Sequence, residues 1–228
     1  ARRGGGNAAT PAPGARIYYW LKKEPWGGVT IDILDAKGTL VNTLSSKPRA
    51  STGSSEYGEE EAEQWKKLAI PKDAGVEAAT WDTSWAGSEM IQGGKLDAGF
   101  PGIGPRALPG TYTVRLTVDG KSQTTTLNLK PDPREQVPEA DLEAQLRFSL
   151  EIRDTITRLT RTVRDLRAIR QQLAARNEFR ASDPRSEDLR KASTDLMAKL
   201  DDLESRLHNP KAEVVYDVLA QKGGTKLY

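Results

Sequence analysis

The stretch of sequence that decides the fold of the first half of the chain is TYTVRLTVDGKSQTTTLNL, residues 111–129. Apolar and polar side chains alternate up to position 118, and a period of two predicts a strand with one buried face. The Asp119-Gly120 pair that follows is a strong signal for a two-residue hairpin turn. The sequence therefore predicts two antiparallel strands, at 111–118 and 122–129.

Shorter runs upstream have the composition of further strands. They cover residues 15–24, 29–34, 39–44, 65–70 and 76–81. Short strands without intervening helices are typical of an antiparallel β-sandwich, which we expect over residues 15–131 after a linker at 1–14. Residues 90–110 are rich in Gly and Pro, so we expect a long surface loop there.

The second half of the chain, residues 138–228, has the spacing of helices. After a Pro-rich junction at 132–137, apolar residues recur every three or four positions, which predicts helices at about 138–176 and 184–208. In the second helix the repeating residues form a predicted coiled-coil seam. They are Leu189, Ser193, Leu196, Leu200, Leu203 and Leu207. The predicted fold class is therefore α+β multidomain, an antiparallel sandwich followed by an antiparallel helical hairpin.

The start of the first helix has no partner in this hairpin. If Leu173 lies opposite Leu189, then Leu207 reaches only to about residue 155. This leaves an apolar interaction surface uncovered, formed by Leu142, Leu146, Phe148 and Leu150. We expect a short helix at about 211–221, or another molecule, to cover it, and we expect the natural protein to continue beyond Tyr228.

The composition excludes several classes of function. The 228 residues include 34 Lys and Arg against 32 Asp and Glu, and this balance argues against a dedicated nucleic-acid binder. There is no cysteine, which excludes disulfides, thiolate metal sites and cysteine nucleophiles. The sequence has no apolar run of about 20 residues, so no membrane span is predicted.

The motifs that could carry chemistry are weak. The Gly-rich stretch at 102–107 has a lenient dinucleotide-binding spacing, but the prolines around it forbid the strand and helix that such a site needs. We therefore predict no catalytic residue, no cofactor and no metal. His208 follows a helix, where a favourable contact with the helix dipole is the simplest interpretation. Five arginines at 158, 161, 164, 167 and 170 predict a solvated, salt-bridged face.

Aromatic residues offer one alternative, a carbohydrate-binding surface. All five Trp lie in the first half, and most are expected in the core because aromatic side chains supply a large buried area. Trp26 and Trp85 lie in turn-like contexts, so we expect these two to be exposed and able to contact a sugar.

Several motifs together resemble a known family. They are ARIYYWL at 15–21, VTIDILDAKG at 29–38, TWD at 80–82, LPGTYTVRL at 108–116 and KPDPR at 130–134. This set resembles the Ig-like, fibronectin-III-like domain of the flagellar hook-cap type. It is similar in particular to the copy that follows the β-propeller of bacterial sortilin-like BNR-repeat proteins, which are often labelled glycosyl hydrolases.

The resemblance implies a non-catalytic C-terminal accessory module of a secreted or periplasmic protein. Its partner would be the protein's own upstream β-propeller or another protein chain. The chain contains no Asp-box motif of a propeller, so no catalytic residue of that domain transfers to it. Two alternatives remain open: a carbohydrate-binding sandwich whose ligand is a polysaccharide, and a hydrolase with a site in the loop at 87–110.

Overall fold

The structure is a computed structural model that describes residues 14–47, 68–94, 102–134 and 137–208. Within these ranges the chain forms antiparallel β-sheets and two long helices. The strands are β1 (Ala15–Leu21), β2 (Val29–Leu34), β3 (Leu40–Ser45), β4 (Gly75–Trp81), β5 (Ser84–Ala86), β6 (Ile103–Arg106), β7 (Gly110–Val118) and β8 (Lys121–Leu129), and the helices are α1 (Glu139–Phe179) and α2 (Glu187–Leu207). The predicted linker and the predicted helix at 211–221 lie outside the described residues, apart from Gly14.

The largest sheet is antiparallel and has the strand order β3-β2-β7-β8. Its β7–β8 hairpin confirms the prediction from residues 111–129. Asp119 has φ 47° and Gly120 has φ 77°, and two positive φ angles are what a type I′ turn requires. In β2 the side chains alternate, with Val29, Ile31 and Ile33 fully buried. These three residues form the centre of the core.

An ion pair joins the two central strands of this sheet. Asp32 in β2 lies directly opposite Arg115 in β7. Its Oδ2 accepts hydrogen bonds from Arg115 Nε at 3.2 Å and from Nη2 at 2.8 Å. The two residues are 83 positions apart in sequence. Cross-strand pairs of opposite charge stabilise a sheet modestly and help to set its register.

Two smaller pairs of strands complete the β structure. β1 pairs with β4, and β5 pairs with β6. β6 lies inside the stretch 90–110, so the prediction that Gly and Pro exclude a strand there is wrong for residues 103–106. Pro105 cannot donate a backbone hydrogen bond, and a two-stranded sheet tolerates this because each strand has a free edge. Of the strand predicted at 65–70, residues 68–70 form none and the others lie outside the described residues.

The helices confirm the predicted hairpin in outline. α1 begins directly after Pro138, and Asp183 caps a short 3₁₀ turn at Pro184–Ser186 that leads into α2. The helices run antiparallel, because Arg167 of α1 pairs with Glu204 while Arg170, further along α1, pairs with Asp201.

The predicted seam is right for Ser193, Leu200 and Leu207, which are buried or half-buried, and wrong for its other three members. Its alignment with α1 is wrong. Leu189, Leu196 and Leu203 are 59%, 43% and 38% exposed, whereas Ser193 and Glu204 are buried. A leucine repeat alone misplaces the seam here, because polar residues occupy positions that face α1. The Arg167–Glu204 pair also places α2 further along α1 than the predicted contact of Leu207 with residue 155.

The described residues divide into two compact units. The first takes in 14–47, 68–85 and 106–134, and the second takes in 86–94, 102–105 and 137–208. Residues 86–94 and 102–105 therefore belong with the helices, whereas the sequence division at 131 places them with the strands. No helix in the described ranges combines the length and the apolar character that crossing a membrane requires.

Candidate functional site

One face of the β1–β4 pair carries large exposed aromatic rings. Tyr18 is 65% exposed and Trp20 is 64% exposed. They share a face because side chains alternate along a strand, and the intervening Tyr19 turns into the core. Val76 of β4 lies opposite Trp20 and is also exposed. We call Arg16, Tyr18, Trp20 and Val76 the aromatic face.

The neighbours of the aromatic face leave its rings accessible. The guanidinium carbon of Arg16 lies 5.4 Å from the centroid of the Tyr18 ring, a cation–π arrangement. Small residues, Ala78 and Thr80, lie across the ladder from Tyr18 and Arg16. The result is a surface of two rings and one cation that can stack on a planar or apolar group.

The opposite side of β1 is anchored in the first unit. The Tyr19 hydroxyl donates a hydrogen bond to the Pro71 carbonyl. Burial raises the pKa of Tyr19 to about 12, and the negative charges of Glu77 and Asp73 add to the effect. Tyr19 therefore fixes which side of β1 faces solvent, and so positions Tyr18 and Trp20.

The two predicted sugar-contact residues have different environments. Trp26 is 92% exposed, as expected, but Trp85 is only 8% exposed. Trp85 was expected in a turn-like context, and it lies instead in β5, where its ring is buried. The expectation of an exposed Trp26–Trp85 pair is therefore wrong, and the adjacent exposed rings are those of Tyr18 and Trp20.

The predicted interaction surface on α1 is only partly exposed. Phe148 is exposed, whereas Leu142, Leu146 and Leu150 are half-buried. These four residues therefore do not form a continuous exposed stripe.

In the second unit, residues 86–94 lie along α1 and form what we call the strap. Glu89 is its anchor: its backbone N–H donates to Thr157 Oγ1 at 3.2 Å, and its carbonyl accepts from Thr160 Oγ1 at 3.0 Å. Arg161 donates two hydrogen bonds to the Glu89 carboxylate, and Arg164 adds a third. The Arg161 hydrogen bonds, with the charges of Arg161 and Arg164, lower the pKa of Glu89.

Arginines hold the two ends of the strap by its backbone. Arg153 donates to the Ala86 carbonyl at 3.2 Å, and Arg167 donates to the Gln92 carbonyl. The predicted salt-bridged arginine face is confirmed at Arg161, Arg164, Arg167 and Arg170.

A buried polar cluster holds the end of α2 against α1. Arg167 Nε donates to Glu204 Oε1 at 2.8 Å, and its Nη2 lies 2.9 Å from His208 Nε2. Glu204 and His208 are each 2% exposed. Arg170 bonds to Asp201 and lies 3.5 Å from Glu204 Oε2. Arg167 thus joins three segments: the strap, α1 and the end of α2.

His208 differs from its predicted role. Burial and the positive charge of Arg167 lower its pKa, and the opposing effect of Glu204 is smaller. A neutral imidazole gains little from the helix dipole, so the predicted dipole contact is replaced by a packed contact with Arg167 and Glu204. Sequence reasoning missed this cluster because its members are 37 and 41 positions apart.

An open groove of about 630 Å³ lies beside this cluster, between α1 and α2. Arg167, Arg170 and Asp201 line it together with apolar residues such as Met197 and Ala174. Arg170 and Asp201 bond to each other, and Arg167 bonds to Glu204 and to the Gln92 carbonyl. These pairings fit a hairpin surface better than a site with groups free for a ligand. No protein-family model matches the chain, and neither a curated protein nor a solved structure was found to match it.

Proposed function

We propose that this chain is a non-catalytic interaction module and that the aromatic face is its contact surface. The observation that carries the proposal is the exposure of Tyr18 and Trp20 beside Val76. Scattered exposed apolar residues are ordinary, but adjacent exposed aromatic side chains are typical of binding surfaces. In line with the family resemblance, the proposed partner is the upstream β-propeller of a secreted sortilin-like BNR-repeat protein.

We also propose that the first unit is an Ig-like sandwich. The strand order β3-β2-β7-β8 is the order C′-C-F-G of Ig-type sheets, and β1 with β4 would be the B–E pair of the second sheet. The Tyr112 hydroxyl donates to the Leu108 carbonyl at 2.6 Å. A tyrosine near the start of strand F that bonds back to the upstream backbone is a hallmark of Ig-type domains.

The aromatic face suits a protein partner on energetic grounds. Tyr and Trp bury about 150–250 Å² each, and they lose little conformational entropy on binding because they have few rotatable bonds. Residues of this type at the centre of an interface typically lose about 2 kcal/mol or more of binding free energy on truncation. We therefore assign Trp20 and Tyr18 as the anchors of the contact.

The test is binding of this chain to the upstream propeller domain, supplied as a separate protein, measured by calorimetry. Trp20→Ser should weaken binding by at least about tenfold, because an anchor residue contributes more than 1.4 kcal/mol. Trp26→Ser is the matched control, because Trp26 is exposed outside the aromatic face. Absence of binding, or equal effects of the two substitutions, would contradict the proposal.

A second candidate function is carbohydrate binding at the same face. Two aromatic rings that project side by side from one strand can stack on successive sugar units. Titration with soluble oligosaccharides, followed by Trp fluorescence, distinguishes the two candidates. Saturable binding that is lost in Trp20→Ser would favour a polysaccharide ligand over a protein partner.

The hydrolase alternative is weaker. Among the described residues of the loop at 87–110, Glu89 supplies the carboxylate. Its oxygens accept hydrogen bonds from Arg161 and Arg164. A general acid needs a raised pKa at neutral pH, whereas the pKa of Glu89 is lowered. These contacts support a structural role for Glu89 in the strap.

A further inference from the structure

β8 forms one edge of the four-stranded sheet. β7 lies on one side of it, and no strand of the described ranges pairs with its other side. Such an edge presents unpaired backbone groups, and proteins usually blunt it with a short strand, a proline, charges or a bulge. β3, at the opposite edge, has six residues and a register shift where it pairs with β2. β8 has nine residues, an unbroken register with β7 and no proline, and its one charged residue is Lys121 beside the turn.

The alternation of hydrogen bonds across the sheet identifies the backbone groups at this edge. The Val29 carbonyl accepts a hydrogen bond from the Ser46 N–H at 2.9 Å. Odd-numbered residues of β2 therefore bond to β3, and even-numbered ones bond to β7. The two registers of β7 carry this alternation across the sheet, so that odd-numbered residues of β8 bond to β7. The residues of β8 whose backbone groups point away from β7 are Ser122, Thr124, Thr126 and Asn128.

Two side-chain hydrogen bonds between β7 and β8 support this assignment. The hydroxyls of Thr117 and Ser122 lie 2.9 Å apart, and Thr111 Oγ1 donates to Asn128 Oδ1 at 2.7 Å. Side chains lie closest in cross-strand pairs that exchange no backbone bonds, so Ser122 and Asn128 direct their backbone groups outward. Side chains on both faces of β8 are exposed from residue 121 to residue 126. Among the described residues, the edge is therefore accessible to a further strand.

We propose that β8 pairs antiparallel with β8 of a second copy of this chain, which joins the two four-stranded sheets into one. A surface that meets itself across a two-fold axis is complementary by symmetry. The register that uses all the outward-facing residues has Thr125 on the axis. It places Thr124 opposite Thr126 of the second copy, and threonine pairs across strands are favourable. Lys121 lies opposite Leu129 of the second copy, so no like charges face each other along the strands.

Charges at the ends of β8 favour a second copy over an unrelated peptide. Asp119 and Lys130 lie just beyond the two ends of the strand, and both are exposed. In the proposed register, Asp119 of each copy comes within one position of Lys130 of the other copy. Complementary charges at both ends fix the orientation and register of the pair. An uncharged strand flanked by one acid and one base is thus matched by its own reversed copy.

Disulfide trapping in the full chain tests the proposal, because the protein has no cysteine of its own. Thr125 would face itself in a pair without backbone bonds, at a Cα separation of about 4.5 Å that a disulfide can bridge. The two copies of Thr124 would be diagonal neighbours about 7–8 Å apart, which is too far. Thr125→Cys should therefore form linked dimers at least about tenfold faster than Thr124→Cys. Equal rates would overturn the proposal.

Sedimentation equilibrium of the full chain measures the dimer directly. Thr125→Lys places two ammonium groups opposite each other on the axis. It should raise the dissociation constant at least about tenfold, because like charges opposed in an interface cost more than the corresponding 1.4 kcal/mol. Thr39→Lys is the matched control, since it adds the same charge at an exposed position outside β8. A parent protein that stays monomeric up to millimolar concentration, or equal dissociation constants for the two variants, would contradict the proposal.

Hydrogen exchange measured by NMR gives an independent test. In the monomeric Thr125→Lys protein, the amides of the four outward-facing residues should exchange at least about tenfold faster than in the parent dimer. The odd-numbered amides of β8 should keep their protection, because they bond to β7. Outward amides that stay protected in this monomer would show that another segment of the same chain covers the edge, and the proposal would then be wrong.

Discussion

Trp81 and Tyr112 meet edge to face in the first unit, with ring centroids 5.2 Å apart and 64° between their planes. Trp81 ends β4 and Tyr112 lies in β7, so this contact joins the two-stranded β1–β4 pair to the four-stranded sheet. The Trp81 ring is fully buried, and its Nε1 donates to the Ser84 carbonyl at 2.8 Å. The contact combines apolar burial with a satisfied polar atom.

We predict that Trp81→Ala lowers the free energy of unfolding by about 3–5 kcal/mol, because it leaves a large cavity between the sheets. Urea denaturation followed by circular dichroism measures the change. Trp26→Ala, at an exposed ring, should change the free energy by less than about 0.5 kcal/mol. A Trp81→Ala protein that unfolds at the parent's midpoint would rule out this placement.

We predict that the stability of the second unit falls on mild acidification because of His208. The pKa of this histidine is lowered from 6.5 in the folded state. At pH values between the lowered pKa of the folded state and 6.5, His208 is protonated in the unfolded chain and neutral in the folded chain. The contribution of neutral His208 to the free energy of unfolding is therefore fully present above pH 6.5. It declines as the pH falls, by at most about 1.4 kcal/mol per pH unit.

Urea denaturation at a series of pH values from 5 to 8 measures this slope. His208→Gln removes the titrating group and should flatten the slope in that window, since unperturbed carboxyl groups titrate near pH 4. Parallel pH profiles for the parent and the variant would show that His208 is not the group responsible.

We predict that Ser193→Ala stabilises the hairpin. Ser193 is buried in α2, and its Oγ has no hydrogen-bond partner among the described residues. Removing an unpaired buried hydroxyl recovers its desolvation cost, about 1 kcal/mol, and alanine also has the higher helix propensity. Ser205→Ala controls for propensity, because Ser205 is exposed and its hydroxyl bonds to the Asp202 carbonyl. Thermal unfolding in which Ser193→Ala gains no more than Ser205→Ala would count against this assignment.

We predict that Glu89→Gln loosens the strap without unfolding the second unit. The carboxylate of Glu89 is partly exposed, so each ion pair with Arg161 and Arg164 contributes only about 0–1 kcal/mol. Hydrogen exchange should become faster at residues 87–94 and stay unchanged at the centre of α1. Glu143→Gln, at an exposed residue of α1, is the control. Added salt should reproduce part of the effect in the parent protein by screening the pairs.

Features set by neighbouring residues could be predicted from the sequence. The Asp119-Gly120 turn and the start of α1 after Pro138 depend on local backbone preferences, which the sequence displays directly. The alternation of side chains along a strand is enough to place Tyr18 and Trp20 on one face of β1. It could not predict that this face is exposed, because that depends on which strands pack on β1.

Features set by distant residues could not be predicted. Glu89 and Arg161 are 72 positions apart, and nothing near either residue indicates the other. The prediction of the helix seam was incomplete for a related reason. Glu204 is polar, so a hydrophobic pattern assigns it to the surface. Glu204 is buried because the charges of Arg167 and Arg170 balance its own charge there.

The Asp32–Arg115 pair has a consequence for the order of folding. The β2–β3 and β7–β8 hairpins each close over a short turn, a process of microseconds. Pairing of β2 with β7 across 83 positions is the slow step. The chain loses the entropy of closing this long loop before the contacts between the two strands stabilise it. During synthesis β2 and β3 leave the ribosome well before β7 exists. Ile31 and Ile33 in the β2–β3 hairpin therefore stay uncovered until β7 has been synthesised. During this interval the nascent chain is most prone to aggregation and most in need of a chaperone.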